Sequence, residues 1–107
     1  MYVAKHKYAR MSARKVRPFA DLIRGETADS ALNILRYHPN RGARMIEKVL
    51  RSAMANARDR RAHNANNLTV IDVRVDGGPS QRRWRPKARG SSMTIIKRTS
   101  HITVELG

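Results

Sequence analysis

The feature that most constrains the fold of this sequence is a long basic segment with an alternating apolar segment on each side. Apolar and polar residues alternate over residues 71–75 before it and over residues 102–106 after it. A period of two residues is typical of strands that bury one face, so both flanks are predicted to be β-strands. If they pair as antiparallel partners with Ile71 opposite Val104, the chain between them must form a hairpin.

The predicted hairpin is long. With that register its turn falls between Lys87 and Ala88, inside the segment 85–90, where Pro86 and Gly90 are suitable turn residues. Each arm would contain about 15 residues, and at roughly 3.3 Å per residue the hairpin would extend on the order of 50 Å. The rest of the chain is too short to cover such a ribbon. We therefore expect its distal half to project and its tip to become ordered only on binding.

Two helices are predicted in the middle of the chain from their apolar spacing. Residues 28–35 and 46–57 carry apolar side chains at i, i+3, i+4 and i+7, the pattern of a buried helical stripe. Thr27 is a suitable N-cap for the first helix. Pro39, Asn40 and Gly42 are predicted to form the break between the two.

A third helix is predicted upstream from the apolar residues of segment 16–23, with Gly25 as its stop. Pro18 leaves its start open. If the helix begins at Ala13, the proline lies in its interior and removes a hydrogen bond; otherwise the helix begins close to Pro18 itself.

These elements predict an α+β fold, with three helices packed on a small antiparallel sheet and a long projecting β-hairpin. At 107 residues the chain is expected to form one domain. We expect a globular body at about residues 1–76 and 97–107 and an extended hairpin arm at about residues 77–96.

The distribution of charge indicates a polyanionic partner. Lys and Arg number 23 against 8 Asp and Glu, a net charge of +15, and no acid occurs before Asp21 or between Gly77 and Val104. Such a charge opposes compaction unless a polyanion neutralises it, and nucleic acid is the obvious candidate. The residues that we predict to bind RNA are Lys5, Lys7, Arg10, Arg14, Lys15, Arg17, Arg82, Arg83, Trp84, Arg85, Lys87, Arg89, Lys97 and Arg98.

Each of these basic groups also has a simpler interpretation. The N-terminal bases can be a solubilising tail, and Trp84 can either stack on an unpaired base or cap the apolar edge of the ribbon. Arg44, Arg51 and Arg58 share one helical face through their seven-residue spacing. That face either contacts RNA or is simply solvated.

Catalysis, metal binding and membrane insertion are not expected. The four histidines are isolated from one another, there is no Cys, and the neighbouring Ser100 and His101 point to opposite faces of a predicted strand. No apolar run is long enough to span a bilayer, and residues 1–10 lack a signal-peptide core. We predict a cytoplasmic protein that is not an enzyme and needs no cofactor.

Four motifs, in this order and spacing, resemble one known family. They are Ser-Ala-Arg-Lys-Val-Arg at 12–17, Ala-Asp-Leu-Ile-Arg-Gly at 20–25, Ser-Ala-Met-Ala-Asn-Ala at 52–57 and Lys-Arg-Thr-Ser-His-Ile-Thr-Val at 97–104. Over nearly its whole length the chain resembles the family of bacterial large-subunit ribosomal protein number twenty-two.

The resemblance implies a body on the outside of the large subunit and a hairpin that reaches through ribosomal RNA to the wall of the peptide exit tunnel, near the macrolide-binding region. The implied partners are large-subunit ribosomal RNA, neighbouring ribosomal proteins and the nascent polypeptide, with a role early in subunit assembly. One departure is that Ser91 and Ser92 follow Gly90, where the family usually has a basic residue. The implied tunnel tip consists of Arg85, Pro86, Lys87, Ala88, Arg89 and Gly90.

Three other classes of protein share some of these features. An architectural DNA-binding protein also uses basic β-ribbons, but it usually dimerises, and no apolar stripe is left over once three helices cover the sheet. A membrane-active helix needs a free apolar face, and none is predicted. An RNA-modifying enzyme lacks a candidate site. We therefore expect a monomer rather than a homo-oligomer.

Overall fold

The structure is a computed structural model that describes residues 2–62, 64–86, 90 and 92–107. Within these residues three α-helices lie between the first and second of five strands, and a short 3-10 helix follows the last of them at Ala65–Asn67. Helices packed on an antiparallel sheet confirm the predicted α+β fold. In chain order the elements are β1 (Tyr2–Ala9), α1 (Ala13–Ile23), α2 (Ala28–Tyr37), α3 (Arg41–Asp59), β2 (Val70–Gly77), β3 (Gln81–Pro86), β4 (Ser92–Lys97) and β5 (Ser100–Leu106).

Helices α2 and α3 form where the apolar spacing predicts them, and every residue of both predicted stripes is buried. The Thr27 hydroxyl accepts a hydrogen bond from the Ser30 N–H at 3.3 Å, so Thr27 is the N-cap of α2. Pro39 lies in the connection between α2 and α3, and Asn40 precedes the first turn of α3. Gly42, which was predicted to help separate the two helices, lies inside the first turn of α3, where the lack of a side chain lets α1 approach.

Helix α1 begins at Ala13, which decides between the two starts that the sequence leaves open. Pro18 therefore lies inside the helix, and because proline has no N–H, the Arg14 carbonyl receives no helical hydrogen bond from it. Gly25 follows the helix end with a φ of +84°, a conformation that favours glycine. Its N–H donates to the Val70 carbonyl at 3.0 Å, which ties the turn to β2.

The main sheet has the order β1-β5-β2, with antiparallel pairing on both sides of β5. Val73, not Ile71, lies opposite Val104, so the predicted register is wrong by two residues. A bulge between Val70 and Asp72 accounts for one residue of this shift, and the pairing of Val70 with Leu106 before the bulge is already one residue from the predicted register. The bulge turns Val70 into the core and leaves Ile71 48% exposed.

The sequence does not predict strand β1, because its basic residues indicate a tail or a phosphate contact instead. It pairs with β5 at the edge of the sheet, and only Ala4 and Ala9 of its eight residues are buried. An edge strand that buries two alanines leaves almost no hydrophobic alternation in the sequence.

Strands β3 and β4 form a separate antiparallel pair, from Gln81 opposite Lys97 to Pro86 opposite Ser92. Residues 78–80 and 98–99 separate this pair from the main sheet, so the two uninterrupted arms predicted from the sequence are each divided into shorter strands. Gly90 has a φ of +76°, as a turn glycine requires. The long projecting hairpin stays a prediction, because Lys87, Ala88 and Arg89 lie outside the described residues.

The core lies between the helices and one face of the main sheet. Helix α3 packs against β1 and β5, α1 packs against β2, and α2 packs against α3. The buried polar residues in this part of the structure are Glu47, Ser100 and Thr103. None of the described helices is long and apolar enough to cross a bilayer.

Candidate nucleic-acid interface

A broad basic cleft lies between the β3–β4 pair and the first turns of α1 and α3. Its volume is about 1170 Å³. Six of its lining residues are Lys or Arg and none is Asp or Glu, so the cleft attracts polyanions. The lining residues are Tyr8, Arg10, Met11, Ser12, Lys15, Arg41, Pro79, Gln81, Arg83, Ile96, Lys97, Arg98 and Thr99.

The helical wall of the cleft depends on the close approach of α1 and α3 at Gly42. A Cβ atom at this position would lie 3.0 Å from the Lys15 carbonyl oxygen and 3.0 Å from the Phe19 ring. Because glycine has no side chain, the two helices come together here. Arg41, the residue before Gly42, and Lys15 consequently line the same cleft.

The opposite wall is held by contacts between the two segments that cross from the main sheet to the β3–β4 pair. The Gly78 N–H donates to the Thr99 carbonyl at 2.9 Å, and the Thr99 hydroxyl donates to the Pro79 carbonyl at 2.7 Å. A Cβ atom on Gly78 would lie 2.5 Å from the Thr99 hydroxyl oxygen. These contacts fix the position from which Arg83 and Lys97 enter the cleft.

The first turns of α1 and α3 add to the positive potential. Neither contains an acid, although acids are the favoured residues at a helix N-terminus. Instead α1 has Arg14 and Lys15 in its first turn, and α3 begins at Arg41. A base in this position is unfavourable for the helix alone. That mismatch is the signal from which Arg41, which sequence reasoning missed, could have been found.

The cleft brings together residues from both acid-free regions of the sequence. Of the residues predicted to bind RNA, Arg10, Lys15, Arg83, Lys97 and Arg98 line it. These residues come from the two ends of the chain, so only the fold makes them neighbours.

Other predicted residues lie elsewhere on the protein. Lys5, Lys7, Arg14 and Arg82 are exposed outside the cleft lining, and Trp84 is 71% exposed on β3. Arg17, the remaining N-terminal residue predicted to bind RNA, makes a contact within the protein. Its Nε donates a hydrogen bond to the Val75 carbonyl at 3.2 Å and joins α1 to β2.

The predicted tunnel tip is mostly outside the described part of the chain. This holds for Lys87, Ala88 and Arg89 and for the side chains of Arg85 and Pro86. The backbone of Arg85 pairs with Met93 and that of Pro86 with Ser92, so the described strands lead directly to the tip.

The arginines of α3 have a role that the sequence did not reveal. Arg44 and Arg51 both contact the buried carboxylate of Glu47, at 2.9 Å and 2.7 Å, and Arg36 of α2 approaches it at 3.7 Å. Arg44 also donates to the carbonyl oxygens of Leu35 and His38 at the end of α2. This Glu47 cluster therefore joins α2 to α3. Arg58 lies outside it and donates to the Asn66 side chain at 3.1 Å.

Neither a metal site nor a catalytic pair is assembled by the described residues. No three of their His, Asp and Glu side chains are grouped closely enough to hold a metal ion. Ser100 is fully buried, whereas the His101 ring lies against the exposed Tyr8 ring. The two neighbours therefore occupy different environments, as predicted for adjacent residues of a strand.

Comparison with known proteins identifies the family. A family model described as "Ribosomal protein L22p/L17e" matches residues 4–107. The chain belongs to the ribosomal protein L22p/L17e family. The resemblance predicted from the four sequence motifs is thereby confirmed.

The relatives of this L22p/L17e chain include several bacterial proteins named "Large ribosomal subunit protein uL22". The one from Rhodopirellula baltica is 55% identical over 108 residues, which cover 96% of the chain and 91% of that protein. Those from Desulfosudis oleivorans and Caldicellulosiruptor saccharolyticus are 47% and 49% identical, and they cover 96% and 94% of the chain. The alignments span 90% and 82% of those two proteins.

Proposed function

We propose that the chain is a structural constituent of the large ribosomal subunit and binds large-subunit ribosomal RNA through the basic cleft. Its family and the names of its relatives support the ribosomal role. The observation that carries the proposal is the cleft itself. It is lined by Lys and Arg side chains from both acid-free regions and by no Asp or Glu.

The mechanism is charge neutralisation combined with recognition of shape. Guanidinium groups bind phosphates in two-pronged hydrogen bonds, and Lys15 and Lys97 add compact charges. Because basic side chains line more than one side of the cleft, phosphates of neighbouring RNA segments are neutralised together there. Binding of distant RNA segments at one site assists their correct placement during subunit assembly.

The proposal is tested by measuring affinity for folded large-subunit ribosomal RNA and for duplex DNA of similar length over a series of salt concentrations. The account predicts that the preference for RNA persists at physiological salt, because shape contributes beyond nonspecific attraction. Equal affinities that fall together with salt would instead favour the architectural DNA-binding alternative.

For the β3–β4 arm we propose a second contact surface, reaching the wall of the peptide exit tunnel and the nascent polypeptide. In support, the exposed strand β3 presents Arg82, Arg83 and Trp84, and the molecule is elongated, with dimensions of 63 × 25 × 16 Å. We divide the chain accordingly into a body at about 1–76 and 97–107 and an arm at about 77–96. Its other partners are neighbouring ribosomal proteins, and its location is the cytoplasmic ribosome.

The arm is tested by shortening the segment from Arg82 to Gly90 in the full chain. The body should still dock on the subunit, because the remaining bases of the cleft are retained, whereas crosslinking between the tip region and nascent chains should be lost. Undiminished crosslinking in the shortened variant would contradict the proposed position of the arm.

A further inference from the structure

Tyr8 adopts a backbone conformation that its residue type does not favour. It lies in the irregularity between His6 and Ala9, where β1 departs from its pairing with β5, and its φ is +60°. For a residue with a Cβ atom this left-handed conformation costs about 1–2 kcal/mol, whereas glycine or asparagine adopts it more easily. The backbone conformation at position 8 therefore does not account for a tyrosine there.

The strained segment is held in place by His101 of β5. The Tyr8 N–H, which leaves the strand ladder at the bulge, donates to His101 Nδ1 at 3.0 Å. The two rings contact edge to face, with centroids 4.9 Å apart and an interplanar angle of 86°. His101 thus supports the Tyr8 ring from one side and fixes its direction.

The result is a tyrosine that is 60% exposed and lines the basic cleft. Arg10, Arg41 and Arg98 line the same cleft and supply cations to it. Proteins commonly hold unpaired nucleotides in this way. The nucleobase stacks on an aromatic ring, and the phosphates bind to nearby Lys and Arg side chains.

We propose that the Tyr8 ring stacks on an unpaired nucleobase of RNA whose phosphates lie in the basic cleft. This inference rests on the proposed function and adds a preference for unpaired RNA to it. The cations alone do not distinguish a single strand from a duplex. Stacking does distinguish them, because the faces of bases inside a duplex are already occupied.

The test compares Tyr8→Asn with Tyr37→Asn in the full chain. Tyr37 is a matched control, because it is 84% exposed and also contacts a histidine ring edge to face, at 5.5 Å, but does not line the cleft. Asparagine tolerates the left-handed conformation at position 8, so the backbone is retained. The probes are a single-stranded RNA of about 12 nucleotides containing 5-iodouridine and the matching RNA duplex.

We expect Tyr8→Asn to weaken binding of the single strand by between about 5-fold and about 150-fold, the range typical of one stacked base, while duplex binding changes little. Tyr37→Asn should bind both probes as the unchanged protein does, and Tyr8→Phe should retain the single-strand affinity. Irradiation of the unchanged protein with the iodinated strand should crosslink residue 8, a readout that needs no variant to fold.

Equal single-strand affinities for Tyr8→Asn and Tyr37→Asn, together with no crosslink at residue 8, would overturn the inference while leaving the cleft as a phosphate site. If the unchanged protein binds neither this probe nor ribosomal RNA, the proposed function itself fails. The two failures are therefore distinguishable.

Discussion

Replacing Glu47 by Gln is expected to destabilise the protein through the Glu47 cluster. The side chain of this acid is only 7% exposed, and its carboxylate is contacted by Arg36, Arg44 and Arg51. Glutamine has the same shape but no charge, so three guanidinium groups would then lie near one another without an anion between them. The contact between α2 and α3 should weaken first.

The magnitude follows from how exposed the partners are. The arginine side chains are 44–55% exposed, so each can turn towards water in the variant, and the penalty of about 3–5 kcal/mol for a fully buried unpaired charge does not apply. Exposed pairs contribute about 0.2–1 kcal/mol each. Three pairs to one buried carboxylate therefore give about 2 kcal/mol, which corresponds to a fall in Tm of about 8 °C for a domain of this size.

Thermal unfolding of the free protein, followed by circular dichroism, measures this effect. Glu105→Gln is the matched control, because it changes the net charge equally but removes a single contact, with Arg74 at 2.9 Å. The Glu47→Gln deficit should also shrink in high salt, which screens the repulsion among the arginines. A Tm for Glu47→Gln no lower than that for Glu105→Gln would refute the reasoning.

Three further substitutions test local packing. Ser100→Ala should leave the free energy of unfolding unchanged or raise it by up to about 1 kcal/mol in urea titrations, because the buried Ser100 hydroxyl forms no hydrogen bond with a described group. A fall of more than about 1 kcal/mol would contradict this. Gly78→Ala should lower the free energy of unfolding by about 1 kcal/mol, because the new Cβ displaces the Thr99 hydroxyl from its hydrogen bond to the Pro79 carbonyl. Hydrogen exchange of the Thr99 amide should become faster. Gly77→Ala, whose Cβ would have open space around it, is the control. Gly42→Val should lower the free energy of unfolding by about 1–3 kcal/mol, because the new side chain forces α1 away from α3, and it should weaken RNA binding as well. An unchanged free energy of unfolding would contradict the close approach of the two helices.

The elements that could be predicted from the sequence are those whose burial is periodic and local. Helix α3 buries one continuous stripe along its length, so the spacing of residues 46–57 was sufficient. Strand β1 gave no such signal, because it buries only Ala4 and Ala9. The predicted register of β2 is wrong because alternation within residues 71–75 fixes which residues share a face but not which partner each one meets, and because the bulge after Val70 leaves no mark in that alternation.

The candidate site was predicted in composition but not in arrangement. The two acid-free regions identified Lys15 and Lys97, but their meeting in one cleft depends on the α1–α3 approach at Gly42, which no local pattern encodes. The α3 arginines show the converse. Their seven-residue spacing indicates a shared helical face. It does not reveal that Arg44 and Arg51 contact Glu47 together with Arg36 of α2.

The central claim is that the basic cleft, rather than the net charge alone, binds ribosomal RNA. The most direct test compares Lys15→Gln/Arg41→Gln, within the cleft, with Lys48→Gln/Arg60→Gln, on exposed positions that do not line it, in binding to folded large-subunit ribosomal RNA over a series of salt concentrations. Both double variants lose the same charge. The account predicts that only the cleft variant loses affinity markedly and that its dependence of log affinity on log salt becomes shallower by about 1.5, as expected for two lost phosphate contacts. Equal losses in the two variants would contradict it.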